Sequence, residues 1–266
     1  MSINYRFEKK YYKKSSLILK LTISLLFIAN TVYAHDKHVL PWGYEGGTGP
    51  EHWGEIEHAH EKHIMCRSGV YQSPIDIRDV PGLKLADLGC NFSPTPLRIL
   101  NNGHTVQLTY NSGSFINWGN ERFELIQFHF HSPSEHLVNG KHYDMEVHLI
   151  HKTQDHQYVV VGIFMKKGTH NPHIQQIWDR IPSEIDKEVI YDNILVNAGN
   201  LLPKTKEYFH YTGSLTTPPC TENVSWFVLE EPIEISPKQI EYFKEYIHHN
   251  ARPAQKLHHR IVVKIK

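Results

Sequence analysis

The chain has 266 residues, 40% of them hydrophobic and 21% charged, enough to bury a sizeable core and compatible with one large β domain. Its 28 basic and 28 acidic residues balance, but residues 1–34 hold Arg6, Lys9, Lys10, Lys13, Lys14 and Lys20 against Glu8 alone. The remainder therefore carries 22 basic and 27 acidic residues, about −5 with histidine neutral, which argues against nucleic acid as a partner because phosphate binding needs a basic surface.

In chain order, the basic start leads into an apolar run, Leu21 to Ala29, and then Val32-Tyr33-Ala34, with an aliphatic residue at −3 and a small one at −1. This is the pattern of a secretory signal peptide cleaved after Ala34, with 35–266 as the mature domain. A single-pass anchor is the rival, but Leu17 to Ala29 is short for a span and carries Lys20. A periplasmic or secreted protein with no stable anchor after cleavage is expected. In such an oxidising compartment three cysteines imply one disulfide and one leftover thiol, and counting leaves the pairing open.

Residues 35 to 70 are rich in Gly, His and Trp without periodicity, and read as an irregular arm anchored by Trp42, Tyr44 and Trp53. His35, His38, His52, His58, His60 and His63 crowd this arm; solvated surface histidines or weak metal binding both fit. Short strand-like runs follow from Gln72 to Ile77, Val106 to Tyr110, Phe123 to His131, Met145 to Ile150, Tyr158 to Phe164 and Val224 to Leu229. Two helices carry start signals: Asn171-Pro172 ahead of Ile174, Ile177, Trp178 and Ile181, and Ser236-Pro237 with Gln239 ahead of Ile240, Phe243 and Ile247. The fold class is mostly β with peripheral helices (α+β), in one domain.

The most informative stretch runs from Gln127 to Leu149. In an extended strand side chains alternate, so His129 and His131 share one face while Phe128 and Phe130 take the other. A second alternating run presents His148, and if the strands are neighbours three neutral imidazoles meet. Three histidines plus an open position are what a catalytic zinc needs. His129-x-His131 with Glu135 also fits part of the cupin pattern, but position 123 is Phe where that motif needs Gly, and no later glycine-rich motif ends in His and Asn.

From about Trp42 to Arg260 the chain resembles the α-class carbonic anhydrases of bacterial, secreted type. The resemblance rests on Trp42-Gly43-Tyr44, Gly49-Pro50-Glu51-His52-Trp53, Gln72-Ser73-Pro74-Ile75-Asp76, Asn101-Asn102-Gly103-His104, Gln127 to His131, Ser134-Glu135-His136, Glu146 to Leu149, Gly162-Ile163-Phe164 and Tyr211 to Pro219. It implies a central, largely antiparallel twisted sheet of about ten strands and reversible hydration of carbon dioxide to bicarbonate and a proton, by attack of a zinc-bound hydroxide.

Residue by residue, it implies one zinc held by His129, His131 and His148, oriented by Gln127, Glu146 and the backbone near Asn250. Thr216 and Glu135 match the gate that aligns the nucleophile, and His104, expected to titrate near 7, matches the proton shuttle. Ile150, Val160, Leu215, Val224 and Trp226 match the carbon dioxide pocket, although plain core is the safer reading of Val224, and Thr216 and Thr217 match the bicarbonate contacts. Cys66 and Cys220 match the disulfide of secreted relatives, leaving Cys90 free. A homodimer is expected by analogy with bacterial relatives. A non-enzymatic extracellular zinc-binding or buffering protein on the same fold is the competing expectation.

Overall fold

A computed structural model describes residues 42–266 apart from 59, 60, 79 and 85–87. The expected signal peptide and the side chains of His35, His38, His58 and His60 lie outside the described residues. No helix among those described is long and apolar enough to cross a membrane.

Twelve strands form one sheet: β1 (Gly82–Leu83), β2 (Gly89–Asn91), β3 (Thr95–Asn101), β4 (Val106–Thr109), β5 (Phe115–Trp118), β6 (Glu121–His131), β7 (Met145–Lys152), β8 (Tyr158–Lys167), β9 (Val189–Val196), β10 (Tyr208–Ser214), β11 (Glu222–Ile235) and β12 (Val263–Ile265). Their order is β9-β3-β4-β6-β7-β8-β11-β10-β12-β1, with β5 pairing β6 and β2 pairing β5. The sheet is largely antiparallel as expected, with parallel pairs only at β8/β11 and β12/β1. It exceeds the expected ten strands because very short strands, β1 and β2 among them, carry too little periodicity to read from sequence.

Helix α1 (Met65–Ser68) is one turn long, while α2 (Pro172–Trp178) and α3 (Pro237–Tyr246) begin where the capping signals put them. Asn171 Oδ1 accepts from the backbone of His173 and Ile174, and Ser236 with Gln239 closes a capping box. Both satisfy donors that a helix start leaves orphaned. Their apolar stripes, Ile174, Ile177 and Trp178 with Ile240 and Phe243, cover one sheet face.

That face takes Phe128 and Phe130 from β6 and Val147 and Leu149 from β7. Each such side chain, fully buried, contributes about 1.5–3 kcal/mol of transfer free energy. The opposite face holds a smaller apolar cluster with Ile150, Val160, Val224 and Trp226. Alternation thus leaves the histidines of β6 on the face away from the helices.

Candidate metal centre and active site

Strands β6 and β7 pair antiparallel with His129 opposite His148 and His131 opposite Glu146. Within the segment that joins them, Asn139-Gly140 closes a small hairpin of Leu137–Val138 with Lys141–His142, both turn residues at positive φ, 52° and 77°, the geometry that Asn-Gly favours. One ligand atom from each of His129, His131 and His148 falls within 4.8 Å of the others. Two strands and their register therefore bring three imidazoles to one point.

Each ring has one nitrogen committed and one free. His129 Nδ1 donates to Gln127 Oε1 at 2.9 Å, His131 Nδ1 to the Asn250 carbonyl at 2.7 Å, and His148 Nε2 to Glu146 Oε1 at 2.9 Å. Acceptors on those atoms fix the tautomers and leave lone pairs on Nε2, Nε2 and Nδ1. His131 Nε2 is buried without a hydrogen-bond partner, which is costly in a protein interior unless something else uses it. Burial holds His129 well below its ordinary pKa, with the neighbouring His131 and His148 adding to the effect; burial also lowers His131 to about 4 and lowers His148. All three are neutral at neutral pH, the state a metal ligand requires. Three neutral nitrogen donors, closely converged, fit a zinc-type ion.

The support is deeper than the sequence suggested. Glu146 Oε2 accepts from the backbone N–H groups of Glu135 and His136, both at 2.9 Å, while Oε1 also accepts from His136 Nδ1 at 2.8 Å. Burial would raise this carboxyl's pKa, but His136 and His148 outweigh it and hold the group well below the usual range. A Cβ at Gly162 would sit 2.9 Å from Glu146 Oε1, so a glycine on β8 lets the carboxylate lie against the strand. His136 Nε2 in turn accepts from Tyr211 Oη at 2.6 Å, and Tyr211 meets Ser73 Oγ at 2.8 Å. His136, Glu146 and His148 also cluster, but both His136 nitrogens are committed, so that grouping offers no free trio of ligands.

Glu135 is fully buried; burial raises its pKa to about 7 against the pull of His148, Thr216 and the Arg252 backbone. Its Oε1 accepts from the Arg252 N–H at 2.8 Å. The expected gate partners are adjacent: a hydrogen bond from the Thr216 hydroxyl favours the ionised carboxylate, while Glu135 Oε2 faces His131 Nε2 at 3.5 Å and His148 Nδ1 at 3.7 Å. Thr216 reaches this point on a loop tied down by the Cys66–Cys220 disulfide. Cys90 is free, as the remaining thiol.

A cavity of about 210 Å³ opens beside the histidines, walled by Ile150, Val160, Leu215, Thr216, Thr217 and Trp226. Ile126 and Tyr158 also line it and were missed, since each is one ordinary residue in a strand. Val224 takes the core place rather than the pocket one: it is buried in the apolar cluster with Trp226 and is not among the residues lining the cavity. Two larger surface grooves of about 550 and 560 Å³ contain none of the converging groups.

His104 is half-buried. It stacks on Trp42, lines another cavity, and is lowered to about 4 because burial outweighs the opposing charge of Asp186. A titration near 7 is therefore not what this ring position gives.

A family model described as eukaryotic-type carbonic anhydrase matches residues 48–266. A carbonic anhydrase of Nostoc sp. is 44% identical over 227 residues, covering 84% of this chain and 85% of its own. Among solved structures, a hyperthermostable carbonic anhydrase from a hydrothermal vent chimney aligns with a TM-score of 0.80 at 43% identity, over 85% of this chain and 100% of the other. The α-carbonic anhydrase of Thermovibrio ammonificans, solved with the inhibitor sulfanilamide, aligns at 0.79 and 40%, over 84% and 98%. The chain belongs to the eukaryotic-type, or α, carbonic anhydrase family and is an enzyme of that class.

Proposed function

We propose that residues 35–266 form a zinc-dependent catalytic domain that reversibly hydrates carbon dioxide, exported by residues 1–34 to the periplasm or beyond. The observation that carries this reading is the convergence of three free imidazole lone pairs beside a small, partly apolar cavity. Zinc, when bound, acts as a Lewis acid that makes water acidic enough to be a nucleophile near neutral pH. His129 Nε2, His131 Nε2 and His148 Nδ1 would hold one such ion, while Gln127, Glu146 and the Asn250 carbonyl keep the opposite nitrogens protonated and the rings oriented.

Carbon dioxide is uncharged and a weak hydrogen-bond acceptor, so an apolar wall suits it better than a polar one. Ile150, Val160, Leu215 and Trp226 provide that wall, and Val224 is buried in the same apolar cluster as Trp226. The Thr216 hydroxyl, once donated to Glu135, can only accept from the reacting water, which turns a water lone pair toward the substrate carbon. Thr217, on the same cavity wall, is positioned to contact the bicarbonate formed. His104 takes the released proton outward.

Metal analysis with stopped-flow carbon dioxide hydration tests this reading. One tightly held zinc per chain, hydration, and inhibition by an aromatic sulfonamide are expected, and His148→Ala should lose both metal and activity. Several weakly held ions without hydration would instead establish the buffering protein, and a fully active His148→Ala variant would refute the site.

A further inference from the structure

His104 shares its surroundings with other histidines. A cavity of about 440 Å³ is lined by His104, His248, His249, Tyr44, Glu45 and Tyr246, among others, and has no lining residue in common with the cavity beside His129 and His148. His248 and His249 are exposed and lie just past the carboxyl end of α3, where the helix dipole attracts positive charge. The next residue, Asn250, is tied to the His104 segment: its Nδ2 donates to the His104 carbonyl at 2.9 Å and to the Phe130 carbonyl at 2.8 Å, while its Oδ1 accepts from Ser132 N at 2.8 Å. The residue whose carbonyl orients His131 thus also anchors the two exposed histidines to the His104 loop.

From this geometry we infer that His248 and His249 form the outer half of a proton relay, receiving protons from His104 across the cavity and delivering them to bulk buffer. The inference rests on the reading of His104 as shuttle. At roughly 30 Å³ per water the cavity has room for on the order of ten waters, enough for a bridge. In the transfer, the His104 imidazolium gives an N–H proton to a water, that water gives a proton to a ring-nitrogen lone pair of His248 or His249, and the new imidazolium loses a proton to buffer base. Only N–H and O–H bonds change. Glu45 on the cavity wall and Asp186, whose charge acts on His104, favour a passing cation.

The relay also answers a difficulty. Burial leaves His104 too weak a base to hold a proton for long at neutral pH. A second acceptor that meets solvent directly lets each proton leave before it returns, and His248 and His249 are exposed.

The test uses zinc-loaded full-length protein with His248→Ala/His249→Ala together, His104→Ala, and all three substitutions, in weakly accepting buffer and with added imidazole. The double variant should lose about tenfold in kcat in weak buffer, less than the roughly hundredfold a single positioned proton-transfer group typically supplies, because water and His104 remain. Its kcat/KM should be unchanged, imidazole should restore kcat, and the triple variant should be no slower than His104→Ala. Wild-type kcat in the double variant while His104→Ala is slow overturns this inference alone. Wild-type kcat in His104→Ala overturns the shuttle reading, and the inference with it. A fall in kcat/KM in the double variant would mean that 248 and 249 support the hydration site rather than proton export, and also overturns it.

Discussion

The His104 imidazole lies flat on the Trp42 indole, with ring centroids 3.6 Å apart and planes 1° from parallel. Stacking withdraws one ring face from water, and burial is the leading cause of the fall in its pKa to about 4. Trp42→Ala should therefore return water to the ring and move its titration up toward the ordinary histidine value of about 6.5. An NMR titration of the His104 ring protons reads this directly. A midpoint that stays near 4 in the variant would show that Trp42 is not what depresses it.

Glu146 joins the histidine ligands to their surroundings, accepting from His148, from His136 and from two backbone N–H groups. Glu146→Gln places an amide where the structure requires an acceptor for several donors, so the His148 tautomer is no longer enforced. Zinc affinity should fall by about 10- to 100-fold, the usual effect of losing such an outer partner. Competition with a chelator of known affinity measures it. Unchanged affinity would mean that the β6/β7 register alone orients His148.

Much of this centre was legible from sequence because it is local: Gln127, His129 and His131 on one alternating strand, Glu146 and His148 on the next, and Glu135 in the segment between them all lie within 22 positions. What was illegible is held by long-range contacts between residues with no spacing pattern. Tyr211 reaches His136 across 75 positions, Ser73 reaches Tyr211 across 138, and Arg252 Nη1 reaches Gln72 across 180. The His104 environment was missed for the same reason, since no local pattern states that Trp42 covers it. Val224 shows the converse: an apolar strand residue fits both a pocket wall and the packing behind it, and only the fold tells them apart.

Gly213 marks where this long-range network is tightest. A Cβ there would overlap Ser73 Oγ and lie 2.7 Å from Tyr211 Cε2 and 3.1 Å from Trp226 Cδ1. Ser73 is held by Ser214 and Tyr211, and Tyr211 by His136, so none can yield without breaking a buried hydrogen bond. Gly213→Ala should cost about 1–3 kcal/mol as overpacking. Urea unfolding with an unchanged m-value would register the loss as a lower midpoint; an unshifted midpoint would show that β10 moves aside freely.

The Cys66–Cys220 bond closes a loop with a sequence separation of 154. Chain-entropy reasoning puts its contribution near 5 kcal/mol, with native-state and denatured-state effects able to reduce it. Reduction should lower stability by a few kcal/mol and loosen the loop carrying Thr216, so activity should fall before global unfolding. Thiol counting on the unfolded chain should give one thiol before reduction and three after. Activity and unfolding that decline together during reduction would indicate that the bond stabilises the whole domain without a separate effect on the loop.

His151 is a buried titratable group that the proposed chemistry does not use. It is fully buried on β7, donates through Nδ1 to the Leu149 carbonyl at 2.9 Å, leaves Nε2 without a partner, and packs its ring 5.7 Å from that of Phe92. Burial lowers its pKa to about 3. Unfolded, this histidine takes up a proton near 6.5; folded, it stays neutral until about 3. The unfolded state therefore binds more protons across that window, and the stability this group contributes is full above pH 6.5 and lost progressively as pH falls toward 3. His151→Phe removes the titration and the orphaned nitrogen while keeping an aromatic ring against Phe92. Relative to the parent, the variant should gain about 2 kcal/mol between pH 7 and pH 5. Urea unfolding of both metal-free proteins at the two pH values measures the gap, and a gap that does not change with pH would rule out His151 as a source of acid lability.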